Sequence, residues 1–506
     1  MSEPTEEDSR GRLAETLAAR RMKLERLRAR GVEPFALRFD PDASLGQLRD
    51  KYGSLEPGQE TEDRYRVAGR IMLLRRQGKL SFATLRDATA ELQLFVTPQD
   101  MGDAYSLIDD LDLGDVVGAE GRVMTTRKGE LSLRVDRLEL LTKALRPLPE
   151  KWHGLRDAEA RLRRRYLDLA TNLESRRVVS ARADVLKAFR RVLDDRGFVE
   201  VETPALQATA GGALAKPFVT HHRALDIDLY LRIAPELYLK RLLVGGLERV
   251  YEIGRNFRNE GIDRDHNPEF TMLEFYQAYG DYEDMMELAE ALVKEAALAV
   301  RGSAVFEYQG RALDLAKPWP RVPLLEMVSE KLGEEITLDR TDLGALAARH
   351  GVEVERAWGP GKVVLELYEK LVEKDVWGPT FVKDFPREVS PLARPHRSEP
   401  GLTEQFDLMI CGMEIGPAYS ELTDPDEQRA KFLDQQRLRR SGDEEAHPLD
   451  EDFLEALEHG MPPAGGMGIG VDRVTMILAD VPSIRDVILF PHLRPNRPSG
   501  PDPAGG

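Results

Sequence analysis

Five short runs of alternating apolar and polar residues lie between residues 64 and 144, and they restrict the possible folds more than any other feature. Alternation with a period of two is typical of strands that bury one face. Five such strands in one short segment bury their apolar faces by closing on themselves, so we predict a small OB-type β-barrel, a fold that commonly binds single-stranded nucleic acid. The runs are 65–73, 80–85, 92–96, 116–123 and 131–135, with a helix expected near 105–111.

The rest of the sequence predicts an α+β protein in several parts. Helical runs alternate with strands after the barrel, and two prolines in 143–150 stop regular structure between the two regions. We therefore expect a helical arm, an OB domain, a linker, a larger catalytic domain and a disordered tail rich in proline and glycine, at residues 1–63, 64–144, 145–170, 171–492 and 493–506.

Composition excludes several classes of protein. The 506 residues include a single cysteine, Cys411, which rules out a disulfide scaffold and a cysteine cluster around zinc. No apolar stretch approaches the roughly 18 residues that a membrane span needs, and the acidic, polar start does not resemble a secretory signal. We expect a cytoplasmic protein with no membrane partner.

Charge is distributed unevenly along a chain whose net charge is −17. Residues 10–38 carry nine basic and three acidic side chains, residues 64–90 carry seven and one, and residues 91–120 carry eight acids and no base. A polyanion could dock on the basic N-terminal region and be repelled elsewhere. A solvated helix surface explains the same counts, and both interpretations stay open at this point.

Two glycine-containing segments invite a nucleotide-binding interpretation and do not meet its requirements. Residues 466–470 have glycine at alternate positions, but a turn is expected before them where a Rossmann fold needs a buried strand. Gly78 and Lys79 are followed by Leu80, so they do not form a phosphate-binding P-loop. If this chain binds a nucleotide, another architecture must hold it.

Two strand runs between residues 249 and 279 offer such an architecture. Alternation puts polar and aromatic side chains on one face of each run, namely Glu252, Asn256, Arg258 and Glu260 on the first and Phe270, Met272, Glu274 and Tyr276 on the second. An aromatic ring beside an arginine suits a nucleotide, because the ring stacks on the base while the guanidinium binds a phosphate. The sequence therefore predicts a binding platform here.

A hairpin is predicted at residues 406–416, with Cys411 and Gly412 as a two-residue turn. This turn pairs Met409 with Glu414 and brings Asp407 to the same face as Glu414. Two carboxylates on one face repel each other unless a cation lies between them, and hard oxygen ligands suit Mg²⁺ carried by a polyphosphate. The pair is a candidate Mg²⁺ site.

These segments resemble a known family. Three of them resemble motifs 1, 2 and 3 of the class II aminoacyl-tRNA synthetases, in chain order 198–204, 257–270 and 468–473. Four more are similar to signatures of the bacterial-type lysyl-tRNA synthetases, at 211–213, 231–237, 266–272 and 418–422. The resemblance runs in unbroken order over residues 60–492, so chance matching is negligible.

The resemblance implies a fold and a reaction. The fold is an N-terminal OB barrel that binds the anticodon, followed by a catalytic domain on an antiparallel sheet flanked by helices, which forms a homodimer through motif 1. The reaction joins L-lysine to lysine tRNA: the lysine carboxylate attacks the α-phosphate of ATP, with Mg²⁺ as cofactor, and the terminal tRNA adenosine then accepts the lysyl group. The implied partners are ATP, L-lysine, lysine tRNA and a second copy of the chain.

The resemblance also implies roles for single residues. Arg258 at the α-phosphate and Arg473 at the γ-phosphate or the base would be catalytic. ATP would further contact Glu260, His266 and Phe270, and Asp407 and Glu414 would hold Mg²⁺. Lysine would be bound by Gly212, Glu236, Arg258, Glu274, Tyr276, Tyr419, Glu421 and Gly468, and the anticodon by Arg75, Phe82, Gln93 and Glu130.

Other assignments stay open. An aspartyl- or asparaginyl-tRNA synthetase would be expected to place cations where this chain has Glu421. A non-catalytic RNA-binding relative would be expected to lack Arg258, Glu414 or Arg473, and a truncated relative that lysylates a protein would lack the barrel. The chain has Pro417 where many family members have an asparagine that contacts the substrate carboxylate, which leaves that contact to Arg258.

Overall fold

The computed structural model describes residues 6–149, 157–356, 358–440 and 448–495. The chain divides into two compact units, residues 1–156 and 157–506. Of the tail predicted at 493–506, the residues from 496 onward lie outside the described part of the chain. No helix within the described ranges is long and apolar enough to cross a membrane.

The first unit is a closed five-stranded barrel preceded by two helices. Its elements are α1 (Glu6–Ala29), α2 (Leu45–Tyr52), β1 (Glu60–Gln77), β2 (Leu80–Arg86), β3 (Glu91–Val96), α3 (Pro98–Met101), a 3₁₀ helix (Gly102–Asp109), β4 (Val116–Thr125) and β5 (Leu131–Thr142). The strands are hydrogen-bonded around the barrel in the order β1-β2-β3-β5-β4, and β3 and β5 run parallel. The predicted OB-type barrel is confirmed.

Alternation along the strands explains which side chains fill the barrel. On β2, Ser81 and Ala83 are buried inside, whereas Phe82 lies on the outer face. The strand ends differ from the prediction, because β1 begins at Glu60 and β5 continues to Thr142. These extensions are held by backbone pairing with β4, which side-chain alternation does not report. The helix expected near 105–111 is replaced by α3 and the 3₁₀ helix.

The N-terminal arm contributes to the core of the barrel. Leu27 of α1 and Leu45, Leu48 and Tyr52 of α2 are buried in the same apolar cluster as the strands. Ion pairs with the barrel unit also hold the arm in this position.

Lys23 lies 2.7 Å from Asp112, and Arg30 lies 2.8 Å from Asp110, which also pairs with Arg26. The basic arm and the acidic segment after β3 therefore neutralise each other. Much of the positive charge of the arm is thus already paired, and binding of a polyanion by its remaining exposed basic residues, such as Arg21, stays a prediction.

A lysine without exposed side-chain surface lies beside these ion pairs. Lys143 Nζ donates to the carbonyl oxygen of Asp110 at 2.8 Å and to the carboxylates of Asp112 at 2.6 Å and Asp115 at 2.7 Å. Burial alone would raise the pKa of Asp112, but the hydrogen bonds from Lys143 and Lys23 hold it below its usual value. We call Lys143, Asp110, Asp112 and Asp115 the arm cluster. Each of the three protons of the Lys143 ammonium has a hydrogen-bond acceptor in it.

The second unit is built on one large sheet. Its first half contains α4 (Ala158–Arg163), α5 (Arg165–Thr171), α6 (Leu173–Asp194), β6 (Val199–Glu200), β7 (Leu206–Gln207), β8 (Val219–His222), β9 (Ile227–Leu231), α7 (Glu236–Val244), β10 (Arg249–Phe257), β11 (Glu269–Ala278), α8 (Tyr282–Arg301), β12 (Val305–Tyr308) and β13 (Arg311–Asp314). The segment predicted as a linker thus carries α4 and most of α5.

Its second half contains β14 (Arg321–Pro323), α9 (Leu324–Leu332), α10 (Leu343–Arg349), α11 (Pro360–Leu371), a 3₁₀ helix (Glu373–Asp375), β15 (Thr380–Pro386), a 3₁₀ helix (Arg387–Val389), β16 (Leu402–Ile410), β17 (Met413–Ser420), α12 (Pro425–Arg440), α13 (Glu451–Glu458), β18 (Ala464–Gly470), α14 (Val471–Ala479) and α15 (Ile484–Val487). The large sheet has the order β14-β15-β16-β17-β18-β11-β10-β6. Its pairs are antiparallel except β14 with β15 and β10 with β6.

One face of this sheet carries the apolar core. Leu273 and Phe275 of β11 are buried there with side chains from α6, α8 and α14. Met272, Glu274 and Tyr276 alternate with them and face the other way, where they line a cavity. The predicted alternation of β11 is therefore observed, and the second face of the sheet is available for a site.

Candidate active site

A cavity of about 370 Å³ lies on the polar face of the large sheet, where β16, β17, β18 and β11 adjoin. Its wall contains thirteen of the fourteen residues that the sequence assigned to substrates and metal: Gly212, Glu236, Arg258, Glu260, His266, Phe270, Glu274, Tyr276, Asp407, Glu414, Tyr419, Gly468 and Arg473. The fourteenth, Glu421, is not part of the wall.

Glycines keep one side of the cavity clear. In the sheet, β18 sets three glycines opposite three side chains of β11, with Gly466, Gly468 and Gly470 facing Tyr276, Glu274 and Met272. A Cβ atom on Gly468 would come within 2.7 Å of Met272 Cε. The segment that failed as a dinucleotide loop is therefore a strand whose glycines make room for the side chains of its neighbour.

Arg258 follows β10 and lies over Phe270. The guanidinium carbon is 5.1 Å from the ring centroid, and the Arg258 backbone N–H donates to the Pro268 carbonyl oxygen at 2.9 Å. The buried Nε has no hydrogen-bond acceptor among the described residues. Leaving a buried donor unpaired costs about 1–3 kcal/mol, so this guanidinium has donor capacity for an anion.

Arg473 is the third residue of α14, and the start of that helix is fixed to the sheet. Asp472 accepts a hydrogen bond from the backbone N–H of Thr271 at 2.7 Å. Arg473 donates to the carbonyl oxygen of Glu414, and its other terminal nitrogen lies 3.3 Å from His266 Nε2. The residues predicted at the outer phosphates of ATP are thus in contact with each other.

The hairpin of β16 and β17 has the predicted register: Ile410 pairs with Met413, and Met409 with Glu414. Burial raises the pKa of Asp407 well above its usual value, and the charge of Glu414 raises it further. A cation beside both carboxylates would favour their ionised forms. In the described residues no group of three His, Cys, Asp or Glu side chains could hold a metal ion.

The region around Tyr276 is acidic and buried. Glu236, Glu274 and Glu421 are 5%, 4% and 1% exposed. Burial, with the charge of Glu236, raises the pKa of Glu274 to about 8, and burial likewise raises the pKa of Glu421 to about 8. Tyr276 donates a hydrogen bond of 3.3 Å to Glu274. Binding a cation would favour ionisation of these carboxyl groups.

One residue of this acidic group was missed by the sequence analysis. Lys240 has no exposed side-chain surface, and its Nζ lies 2.7 Å from Glu236 and 2.5 Å from Glu421. Burial alone would lower the pKa of this lysine, but the two carboxylates raise it above its usual value. The available signal was the spacing of Glu236 and Lys240, four residues apart in a helix whose Leu239 and Leu243 are buried.

Glu421 is absent from the cavity wall, and its carboxylate is paired with Lys240. It lies on the side of Gly466 that carries the Tyr276 ring, since a Cβ atom on Gly466 would come within 2.2 Å of Glu421 Oε1 and 2.3 Å of Tyr276 Cε1. Neither carboxylate oxygen receives a well-aligned hydrogen bond from a described residue. The ion pair joins residues that are distant in sequence and holds the carboxylate close to Tyr276 and Gly466, both of which line the cavity.

An aromatic pair lies on the outside of the barrel in the first unit. Arg75 of β1 lies opposite Phe82 of β2, and Phe82 packs edge-on against Phe95 of β3 with ring centroids 5.6 Å apart. Phe95 was missed, although alternation along β3 sets it on the same face as Gln93.

Gln93 and Glu130, the other two residues predicted to read an anticodon, lie near one another. Gln93 Nε2 donates to Ser132 Oγ at 2.9 Å, and that hydroxyl donates to the Glu130 carbonyl oxygen at 3.0 Å. The Glu130 carboxylate lies 3.6 Å from the Arg49 guanidinium.

Two family models match the chain. The family of class II tRNA synthetases (D, K and N) matches residues 157–494, and the OB-fold nucleic acid binding domain matches residues 65–141. The lysine–tRNA ligase of Moorella thermoacetica is 51% identical over 482 residues, which cover 95% of this chain and 98% of that protein. Those of Pelotomaculum thermopropionicum (49% over 495 residues, 96% of each chain) and Enterococcus faecalis (48% over 489 residues, 95% and 98%) are similarly related.

Proposed function

The chain belongs to the class II tRNA synthetases, within the group whose curated members are lysine–tRNA ligases, and from this premise we propose that it activates L-lysine with ATP and transfers the lysyl group to the terminal adenosine of lysine tRNA. The observation that carries the choice of substrate is the acidic group of Glu236, Glu274 and Glu421. It lies beside a cavity that also contains Arg258 and Phe270.

The nucleotide half of the reaction needs positioning and charge neutralisation more than proton transfer, because the lysine carboxylate is itself the nucleophile. The unpaired Nε of Arg258 supports a role in neutralising the α-phosphate as pyrophosphate leaves. Phe270 offers its ring to adenine, and the adjacent Arg473 and His266 contact the outer phosphates. Glu260, exposed at the rim, completes the ATP contacts.

Asp407 and Glu414 would hold the Mg²⁺ that accompanies ATP. The raised pKa of Asp407 supports this assignment, since a bound dication would relieve the repulsion that opposes its ionisation. When bound, the ion supplies positive charge to the phosphates. With two protein ligands, phosphate oxygens and water would complete its coordination.

Lysine carries two ammonium groups and one carboxylate, and the residues near Tyr276 fit that pattern. Glu236 and Glu274, with the Gly212 carbonyl, would bind the α-ammonium, while Glu421, Tyr276 and Tyr419 would bind the ε-ammonium. A φ of +90° at Gly212 supports a close backbone approach, because a Cβ atom there would be 3.0 Å from Glu236 Cβ.

The substrate carboxylate is left to Arg258. Pro417 lines the cavity but has no N–H to donate. Gly468 allows the substrate to approach the sheet, since β18 carries no side chain at that position.

An aspartyl- or asparaginyl-tRNA synthetase is disfavoured by the same residues. Lys240 is the one cation that contacts the acidic group within the described chain, and it is already shared by two carboxylates. A loss of catalysis is disfavoured because Arg258, Glu414 and Arg473 all face the cavity.

The barrel would bind the anticodon of lysine tRNA. A half-buried Phe82 next to Phe95 can stack on a base, while Arg75, Gln93 and Glu130 surround it with groups that can form hydrogen bonds. Since aminoacylated tRNA is used in translation, we place the protein in the cytoplasm.

A homodimer would cover exposed apolar side chains around motif 1. Val199 lies on β6 at the edge of the large sheet and is 50% exposed, and Leu206, Val219 and Ile227 of the small sheet β7-β9-β8 are 47%, 59% and 42% exposed. Sedimentation should give a dimer, and a stable, fully active monomer would contradict this part of the proposal.

ATP–pyrophosphate exchange with each of the twenty amino acids tests the function. We expect exchange with lysine alone, dependent on Mg²⁺. Exchange with aspartate or asparagine would reassign the substrate. Retained tRNA binding without exchange for any amino acid would favour a non-catalytic relative.

A further inference from the structure

Lys240 contacts two carboxylates that come from different parts of the fold. Glu236 lies one turn earlier on α7, and Glu421 follows the end of β17. The Lys240 ammonium lies 2.7 Å from the first carboxylate and 2.5 Å from the second. Both are residues that the proposed function gives to the substrate's ammonium groups, yet Lys240 itself is absent from the cavity wall.

We propose that Lys240 is a positioning residue of the amino-acid pocket: its ammonium holds the carboxylate of Glu236, in the cavity wall, and that of Glu421, next to it, and sets the negative charge that the pocket presents to its substrate. This inference rests on the proposed lysine–tRNA ligase function, which it deepens.

Charge matching gives the physical reason. When ionised, Glu236, Glu274 and Glu421 carry three negative charges, and three unshielded carboxylates this deeply buried cannot remain ionised together. The Lys240 ammonium reduces their sum to two. Two negative charges equal the two ammonium groups of lysine, while Arg258 is left for the substrate carboxylate.

The other titratable groups around Lys240 leave this balance intact. Tyr276 of β11 and Tyr419 of β17 interact with its partners Glu236 and Glu421, and Glu274 of β11 interacts with Glu236. From α12 comes Lys431, whose pKa burial lowers to about 8.

Lys431 does not compete for the carboxylates. Its ammonium donates to the carbonyl oxygens of Ser390 at 3.1 Å and Ala393 at 2.8 Å. Lys240 is therefore the cation that contacts the acidic group.

The opposite role would be a plug, in which Lys240 occupies the site of the substrate's ammonium and must be displaced. Lys240 has no exposed side-chain surface and is not among the residues that line the cavity, which argues against this role. The two roles predict opposite changes in lysine affinity.

The test measures KM for lysine and for ATP by pyrophosphate exchange between about pH 6.5 and 9 in wild type, Lys240→Met and Lys240→Arg. In wild type, KM for lysine should fall as pH rises toward 8, because Glu274 and Glu421 must lose protons to bind ammonium groups. Lys240→Met removes the charge that favours ionisation of Glu421. Its KM for lysine should rise about tenfold or more at pH 7, and its pH profile should move up by about one unit.

KM for ATP should stay within about twofold of wild type in Lys240→Met, because the residues proposed to bind ATP, such as Arg258 and Phe270, do not contact Lys240. Lys240→Arg, which keeps the charge, should keep the wild-type pH profile. Lys143→Met is the matched control: it removes another fully buried lysine between two carboxylates, in the first unit, and should leave both KM values and the profile unchanged.

An unchanged KM for lysine in Lys240→Met would overturn the inference. A lower KM would also overturn it and would show instead that Lys240 occupies the site of the substrate's ammonium group. Should Lys240→Met fail to fold, Lys240→Arg decides, because an upward shift of its pH profile despite the retained charge would also overturn the inference. Absence of lysine-dependent exchange in wild type would instead refute the proposed function.

Discussion

Lys143 and Lys240, two lysines with fully buried side chains, one in each unit, differ in how completely the hydrogen-bonding groups around them are paired. In the arm cluster, Lys143 has an acceptor for each proton of its ammonium. Lys240 contacts two carboxylates, and the one from Glu421 keeps both oxygens without a well-aligned donor in the described residues. A saturated cluster has nothing left to offer a ligand, whereas an unsaturated one does.

The same difference extends beyond the two lysines. Buried polar atoms of Arg258, Asn267 and Glu421 lack hydrogen-bond partners in the described part of the chain, and all three residues lie in the cavity wall or directly behind it. Unpaired buried polar groups cost stability. Nine described residues carry such atoms, and at these three a ligand in the cavity could supply the missing partner.

The largest effect is expected at the saturated site. Lys143→Met leaves Asp115 buried without its cation and Asp112 with Lys23 alone, and removing one partner of a buried ion pair costs about 3–5 kcal/mol. Urea unfolding should show this loss in the free energy of unfolding of the first unit, with lysine-dependent pyrophosphate exchange retained at low denaturant. A loss below about 1 kcal/mol would break the comparison, because saturation would then carry no structural weight.

Arg258→Ala should have the opposite effect to Lys143→Met: it should lose pyrophosphate-exchange activity and keep the stability of the fold. Removing one donor to a developing charge lowers kcat by about 100- to 1000-fold, and the unpaired Nε contributes little to the folded state. Pyrophosphate exchange measures the first effect and thermal unfolding the second. Arg255→Ala is the matched control, an exposed strand arginine 3.6 Å from Glu269. Exchange within a few-fold of wild type in Arg258→Ala would remove the α-phosphate role.

Phe82→Ala tests whether the outer face of the barrel also binds a ligand, here a base of the tRNA. Stacking of one base on an aromatic ring is worth about 1–3 kcal/mol, so tRNA aminoacylation should weaken by about one to two decades in KM for tRNA. Pyrophosphate exchange with lysine should not change. Phe35→Ala, an exposed aromatic on the arm, serves as control. Equal loss of cognate and non-cognate tRNA binding would count against anticodon reading.

The smallest effect is expected from neighbouring arginines on α1. Arg20 is buried and donates to the carbonyl oxygens of Leu113, Ala144 and Arg146 at 2.7–3.1 Å, whereas Arg21 is exposed. Arg21→Ala should remove about one phosphate contact. The slope of log K for tRNA binding against log salt concentration should therefore fall by about one, for all tRNAs alike. Arg20→Ala should lower the stability of the first unit. A larger change in salt dependence from Arg20 than from Arg21 would contradict the arm pairing.

Sequence reasoning succeeded where the cause is local. The turn at Cys411 and Gly412, the alternation along β11 and the outward direction of Phe82 all follow from period two within a few residues. These patterns were enough to predict the barrel and the binding platform, whereas the roles of the thirteen residues in the cavity wall were implied by the family resemblance.

It failed where a partner is distant in sequence. Lys240 joins Glu421 across 181 residues, and Lys23 joins Asp112 across 89. The opposite charges of the arm and of residues 91–120 were both visible, but counts alone do not show that they meet. Burial inverts the usual expectation that a charged residue in a helix is solvated, and burial depends on the whole fold.

The hydrogen bonds between the N-terminal arm and later residues also dictate an order of events during synthesis. Arg20 forms hydrogen bonds with residues up to 126 positions later in the chain. At roughly 5–20 residues per second, the ribosome needs on the order of ten seconds to supply them. Until then the arm has emerged without its partners, with the apolar side chains of Leu24 and Leu27 uncovered. The first segment to be made is therefore among the last to settle, and slow translation before residue 146 prolongs its exposure to proteases and chaperones.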